Sequence, residues 1–360
     1  MGATGAFASI LNDPGTWARK DPAGLLGRIE TLPDQCEEGW RNAAALRVPD
    51  SYASARELVI AGMGGSAIAG DMLRSIAMRS ARKPVYVVRG YDMPAFVGPE
   101  TLVIACSHSG NTEETLSGFQ QALAAGAMGF AITVGGELAE LARRSNVPVF
   151  NYTYDGEPRS ALGHQLMALL ALSERVGLLG GQEAAVREAI SLMREQQLHI
   201  GSAIAVAENR AKQLAIRLHG RIANVVGAGV LTEAAHRWKT QLNENAKCWA
   251  MWEELPELDH NSIEGFGLAA EVVPLLHVVF LYHEVLGARM QRRYDATAHE
   301  YEIAGVSHER IETGGATPLA QLLTSVYFGD LTSFYLGMLN NIDPSPVPAI
   351  ARLKARLAEP

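Results

Sequence analysis

Cysteine is scarce in this 360-residue chain: Cys36, Cys106 and Cys248 stand far apart, without a Cys-x-x-Cys pair. An odd, scattered set excludes a disulfide framework and a thiolate zinc knuckle, and reads as reduced thiols. The ten histidines include no His-Glu-x-x-His and no other close ligand pair, so spacing asks for no metal. Long apolar runs are missing too. The longest, Val272 to Tyr282, is interrupted by Pro274 and His277 and is too short for a bilayer, so no membrane association is expected. No Lys/Arg cluster occurs and the net charge is −8, which argues against a nucleic-acid surface. The first residues carry no basic segment ahead of an apolar core, and Ala6 stands where a myristoylation motif needs Ser or Thr. Neither a signal peptide nor a lipid anchor is expected, and the chain reads as soluble and cytoplasmic.

What is present is the composition of an ordinary globular protein, long enough for two domains with separate cores. Residues 1–50 are polar and broken by proline, with helical patches around Leu25–Ile29 and Cys36–Leu46, and read as a helical arm or cap. From Glu57 strands and helices alternate. Strands are predicted at Glu57–Ala61, Pro84–Val88, Thr101–Cys106, Met128–Val134 and Val147–Phe150, and a helix at Ser160–Val176. Such alternation predicts a doubly wound parallel sheet over residues 51–180. Gly177-Leu-Leu-Gly-Gly reads as a linker, followed by helix from Glu183 to His219. Arg221-Ile-Ala-Asn-Val-Val-Gly-Ala-Gly229 then repeats the strand–glycine–helix order of Leu58-Val-Ile-Ala-Gly-Met-Gly-Gly-Ser66. Residues 181–342 therefore read as a second α/β lobe of related design, with a strand at Leu276–Leu281, a buried helix at Leu319–Leu339, and a tail over 343–360.

Two loops carry chemistry. The buried strand Thr101–Cys106 breaks into Ser107-His-Ser-Gly-Asn-Thr112 and then a helix opening with Glu113 and Glu114. Short hydroxyls and a glycine at a strand-to-helix junction gather backbone N–H groups, O–H groups and a helix dipole around one point, which suits a phosphate. An ordinary capped loop would look much the same. Gly62-Met-Gly64-Gly65-Ser66-Ala67 satisfies a GxGxxA dinucleotide pattern. The acidic ribose anchor expected after the second strand is replaced by Arg89 and Gly90, so NAD fits poorly and NADP somewhat better. With strand order 2-1-3-4-5 both loops meet at the switch point, where Ser66, Ser107, Ser109 and Thr112 converge. Compact hydroxyls favour a terminal phosphate over an extended pyrophosphate, hence a sugar-phosphate pocket. A third loop, Asp155-Gly-Glu-Pro-Arg159-Ser160, offers Ser160 as a helix N-cap and Arg159 as either a surface cation or one turned to the crevice.

Together GMGGSAIAGD, SHSGNTEET and EPRSALG resemble the first lobe of a sugar isomerase (SIS) domain. With NENAK, ELDHN and the closing Asp343–Lys354 segment, the resemblance narrows to the bifunctional phosphoglucose/phosphomannose isomerases and spans Glu57 to the C-terminus. It implies two SIS-type lobes, each a flavodoxin-like parallel sheet flanked by helices, and an aldose–ketose isomerase of hexose 6-phosphates. By this resemblance Gly64, Gly65, Ser66, Ser107, Ser109 and Thr112 bind phosphate, Glu244 is the base and His260 assists ring opening. Arg159 stabilises the enediolate, and Lys354 works near the ring oxygen. The resemblance also implies a homodimer whose histidine reaches the neighbouring site, with no metal or other cofactor. Ala69 and His108 depart from the family pattern, where glycine and an aromatic such as tyrosine are common.

Read locally, each of these residues also has a plain structural role. Glu244, between Asn243 and Asn245, could be an exposed glutamate on the helix that Thr232 or Glu233 begins. His260 could be a capping loop histidine, and Lys354 a solvated cation between Arg352 and Arg356. His108 by itself reads as a solvent-facing loop residue. A partly desolvated carboxylate, a histidine that titrates near neutrality and two cations are nevertheless what enediolate chemistry needs.

Overall fold

The computed structural model describes residues 3–267, 270–357 and 359. It divides into two compact units, one of Thr31–Arg194 with Gly314–Thr324, the other of the residues up to Glu30, Glu195–Thr313 and Ser325 onward. Three helices open the chain and count with the second of these: α1 (Ala3–Leu11), α2 (Pro14–Lys20) and α3 (Leu25–Glu30). Asp13 caps α2 by accepting from the Gly15 N–H, with Pro14 at the first helical position, where its missing N–H costs nothing.

The first unit begins with α4 (Leu32–Ala43). It continues through β1 (Glu57–Gly62), α5 (Gly64–Ala77), β2 (Val85–Val88), β3 (Thr101–Cys106), α6 (Glu113–Ala124), β4 (Met128–Thr133), α7 (Gly136–Arg144), β5 (Val149–Asn151) and α8 (Leu162–Arg175). The five strands are parallel, in the order β2-β1-β3-β4-β5, the order that brings both loops to one switch point. Every residue of β3 is buried, as expected for a central parallel strand covered on both faces. Val59, Val103, Ala105, Phe119, Ala131 and Leu138 form the core on one side. On α8 all residues from Leu162 to Ser173 are buried, because the helix packs against both α4 and α5. That packing is close: a Cβ on Gly163 would lie 2.7 Å from the Gln35 side chain. The fifth strand starts later than its apolar run, since the Val147 N–H is used to close α7 on the Ala142 carbonyl.

The second unit carries α9 (Glu183–Ile200), whose first part counts with the first unit, and α10 (Arg210–Leu218). Then come β6 (Ile222–Ala228), α11 (Leu231–Asn245), β7 (Ala250–Leu255), β8 (Leu276–Tyr282), α12 (Ala288–Ile303), β9 (Ser307–Glu312), α13 (Pro318–Leu339), which counts with the first unit as far as Thr324, and α14 (Pro348–Leu357). Its four strands are again parallel, in the order β7-β6-β8-β9, so the strand–glycine–helix repeat in the sequence does mark two related sheets. Val226, Leu258, Phe280, Tyr294 and Tyr301 form its core. Trp238 of α11 stacks on Phe328 and donates to the Ser325 carbonyl at 2.8 Å, and it lies so close to Gly329 that any Cβ there would overlap the indole. Nearby Arg237 and Asp330, both buried, form a charge-assisted pair at 2.6 Å. Among the described residues no helix is long and apolar enough to cross a membrane.

Candidate functional site

The first unit's two loops meet at the carboxyl ends of β1 and β3. Gly62 and Cys106 are register partners there, and a Cβ on Gly62 would lie 2.9 Å from the Cys106 carbonyl oxygen. Gly64 then adopts φ +51°, which only glycine tolerates cheaply, and α5 begins with Gly65 and the buried Ser66 in its first turn. Gly65 faces the turn Pro158–Ser160, where a Cβ would lie 3.0 Å from the Pro158 carbonyl oxygen and 3.1 Å from Arg159 Cα. A bare backbone at Gly65 thus lets the third loop close on the first.

The hydroxyl loop is tied internally. Ser107 Oγ lies 2.9 Å from Thr112 Oγ1 and accepts the Gly110 N–H at 3.1 Å, while Ser109 Oγ accepts the Asn111 N–H at 3.2 Å. Gly110 has φ +72°, and a Cβ would stand 1.9 Å from the Gly135 oxygen, so the loop is locked against the start of α7. Asn111 strengthens that seam by accepting the Glu137 N–H at 3.0 Å. Thr112 is the N-cap residue of α6, yet its hydroxyl makes no capping bond. The oxygen cluster is therefore directed within the loop instead of onto the helix's own N–H groups.

Arg159 is buried, 5% exposed, which decides between the two readings of the sequence against a surface cation. The loop around it is held by Tyr154, which donates to the Ser160 carbonyl at 3.0 Å, and by Ser160, which donates to the Glu157 carbonyl at 2.8 Å. Ser160 closes this short turn and does not cap α8, whose N-cap position is Ala161. His108 also departs from expectation. It is half-buried, with Nδ1 3.0 Å from the Tyr152 hydroxyl and its ring against Tyr154, and burial pulls its pKa below the ordinary value. Arg89, the residue that kept an NADP site open, is engaged by Asp71, its Nη1 3.3 Å from Asp71 Oδ1.

The residues expected to perform proton transfer stand in the second unit, on separate elements. Glu244 is half-buried in the last turn of α11. Its neighbours pin that helix end: Asn243 donates to the Cys248 carbonyl at 2.7 Å and Asn245 to Ser333 Oγ at 2.9 Å. Lys247 adopts φ +54° and donates to the carbonyls of Glu244 and Pro344. His260 is exposed at the end of the turn Glu257–His260. The preceding Asp259 anchors that turn, accepting from Arg293 at 2.8 Å and Thr297 at 2.7 Å. Lys354 is exposed in the last turn of α14. The third loop thus closes on the first at Gly65, the first meets the second where Gly62 pairs with Cys106, and Glu244, His260 and Lys354 stand on three different supports.

Reading the sequence missed three residues beside the loops: Tyr152, His164 and Gln165. Gln165 is fully buried and donates to Ser66 Oγ at 3.2 Å and to the Tyr152 hydroxyl at 2.8 Å. His164 stacks on Tyr152 with centroids 5.2 Å apart, and burial, partly offset by Glu38, lowers its pKa. A signal was present in the sequence, since His164-Gln165 is a polar pair inside the apolar run Leu162–Leu172, where each polar group needs a partner.

Residues 51–174 match the SIS domain, and residues 207–357 match the bacterial phospho-glucose isomerase C-terminal SIS domain. The bifunctional phosphoglucose/phosphomannose isomerase of Caldicellulosiruptor bescii is 35% identical over 92% of this chain and 98% of its own length. The enzyme of that name from Aquifex aeolicus is 33% identical over 83% of this chain and 90% of its own length. A hypothetical protein from Thermus thermophilus, known from its crystal structure, is alike in fold, with TM-score 0.74 at 17% identity over 98% of this chain and 95% of that one. With matches to both SIS models and that identity over nearly the whole of its relatives, this chain belongs to the bifunctional phosphoglucose/phosphomannose isomerase family.

Proposed function

We propose that this protein interconverts glucose 6-phosphate and mannose 6-phosphate with fructose 6-phosphate by proton transfer through a cis-enediol(ate), without a metal or other cofactor. The observation that carries this reading is the meeting of the Gly62–Ser66 and Ser107–Thr112 loops, with their glycine backbone and short hydroxyls, at a sheet switch point. Such a cluster grips a phosphate monoester at one end of a small substrate. The rest of a hexose then has to reach groups supplied from elsewhere in the protein.

In this reading Glu244 removes the C2 proton of the open-chain aldose and returns it to C1, while the proton balance of the two oxygens is completed by exchange between O1 and O2. Arg159 offsets the enediolate charge, and Lys354 works near the ring oxygen and substrate hydroxyls. Ring opening uses His260 of the partner subunit, so the working form is a homodimer acting on small phosphorylated sugars in the cytoplasm. Accepting both C2 epimers requires slack around C2.

The deciding experiment is a coupled assay of fructose 6-phosphate formation from each aldose phosphate, with and without EDTA. Turnover of both substrates, unchanged by EDTA, is the expected result. Tight sugar-phosphate binding without turnover would instead mark a non-catalytic sensor, and loss of activity in EDTA would contradict the metal-free route.

A further inference from the structure

A phosphate dianion can only accept hydrogen bonds, whereas a serine hydroxyl has one proton and two lone pairs and can turn either way. A site built of hydroxyls therefore works better when an oxygen already accepts from the protein, which favours leaving its proton for the ligand. Within the second loop the backbone does this, with the Gly110 N–H on Ser107 Oγ at 3.1 Å and the Asn111 N–H on Ser109 Oγ at 3.2 Å. Ser66 lies in the first loop, and its oxygen instead receives the side-chain amide of Gln165 at 3.2 Å, delivered from α8 across 99 residues of sequence.

We propose that Gln165 is the positioning residue of the phosphate site: its amide holds Ser66 as a hydrogen-bond donor and ties the first loop to the second. This deepens the reading of the two loops as a phosphate cradle and rests on it. Gln165 is 0% exposed, and its remaining N–H goes to the Tyr152 hydroxyl at 2.8 Å. That hydroxyl lies 3.0 Å from Nδ1 of His108, the residue between Ser107 and Ser109. One chain of bonds thus runs Ser66–Gln165–Tyr152–His108 and links both loops through a fixed helix. The amide orientation follows from its partners. Both N–H groups are used while Oε1 has no protein partner, and the reverse orientation would strand two buried donors instead of one acceptor.

The test is a double-mutant cycle in the full-length enzyme. Inorganic phosphate affinity, and KM and kcat for fructose 6-phosphate, are measured for wild type, Gln165→Met, Ser66→Ala and the double variant. Gln165→Met is expected to weaken phosphate and raise KM about tenfold, the scale of one hydrogen bond to a charged group, with a much smaller change in kcat. The double variant should bind phosphate no worse than Ser66→Ala alone. Additive losses, or a fall in kcat with phosphate affinity intact, would overturn the assignment. If the methionine variant does not fold, Gln165→Leu takes its place in the same cycle. Ser109→Ala separates the two levels. Unchanged phosphate affinity in that variant removes the cradle itself, whereas weakening by Ser109→Ala with none from Gln165→Met removes only the role of Gln165.

Discussion

The two units begin alike and end with different chemistry. In each, the first strand runs into a glycine with positive φ, Gly64 at +51° and Gly229 at +57°, and a helix follows. At β1 that turn leads to Gly65 and Ser66. At β6 it leads to Leu231, Thr232 and Glu233, with a buried carboxylate in the helix's first turn, where an incoming phosphate would be repelled. The contrast recurs at the next strand of each sheet. After β3 the loop offers Ser107, Ser109 and Thr112. After β8, His283 spends its Nδ1 accepting the Val285 N–H at 3.1 Å, closing a short turn. The second unit repeats the glycine turn without the serine and threonine cluster of the first, and its candidate catalytic residue, Glu244, sits at the opposite end of the corresponding helix. The lesson is that strand order makes the crevice, while the residues at its rim decide whether it grips or reacts.

That division of labour can be broken from either side. The largest effect is expected for Glu244→Gln, which should lower kcat on the order of a thousandfold while phosphate affinity stays close to wild type. Stopped-flow turnover beside phosphate titration checks it, and near-normal turnover would remove Glu244 as the base. The mirror experiment, Ser109→Ala with Thr112→Ala, should raise KM for phosphorylated sugars by roughly ten- to a hundredfold, with kcat less affected. An unchanged KM would put the phosphate elsewhere. Gly110→Ala acts on loop shape alone. Its methyl would meet the Gly135 oxygen at positive φ, so the variant should lose about 1–3 kcal/mol of stability in urea unfolding and bind phosphate more weakly.

The smallest expected effect sharpens the comparison at the edge of the second sheet. Glu309 on β9 accepts two bonds of 2.6 Å from Arg217 and lies 2.9 Å from His277 Nε2. Burial would raise its carboxyl, but these hydrogen bonds and the Arg217 charge outweigh it and bring the pKa from 4.5 to about 2. A carboxyl with a depressed folded-state pKa contributes stability that is complete above 4.5 and disappears as pH falls from there through 2. Thermal melts across that window should fall more steeply for wild type than for Glu309→Gln. Parallel pH slopes would mean that the triad adds nothing measurable.

Much of this was legible in the chain. Apolar runs marked β1–β6 and β8, and glycine turns marked the starts of α5 and α11, whereas β7 and β9, rich in charged residues, offered no such run. The SHSGNT and GMGGS loops pointed to one switch point because parallel order and right-handed crossovers leave few topologies. Arg159 was not legible. Its burial depends on Gly65 leaving room for the Pro158–Ser160 turn, a contact between segments far apart in sequence. His108 was misread as solvent-facing for the same reason, since its partners Tyr152 and Tyr154 come from the segment after β5. The helices before residue 50 carried no sign that α4 would pack with α8 while α1–α3 joined the other unit. Their apolar stripes say that a face is buried but not against what.

By itself, then, the sequence determined which loops could hold an anion and on what type of element they would lie, properties that are local, set by side-chain type and by hydrogen-bonding periods of a few residues. The residues offered for proton transfer came from the family resemblance. Ser107 and Ser109 are oriented by backbone within their own loop, whereas tertiary structure alone decided the orientation of Ser66. Its hydroxyl receives an amide 99 residues away, and a bond between such distant segments exists only once α8 is packed against α5.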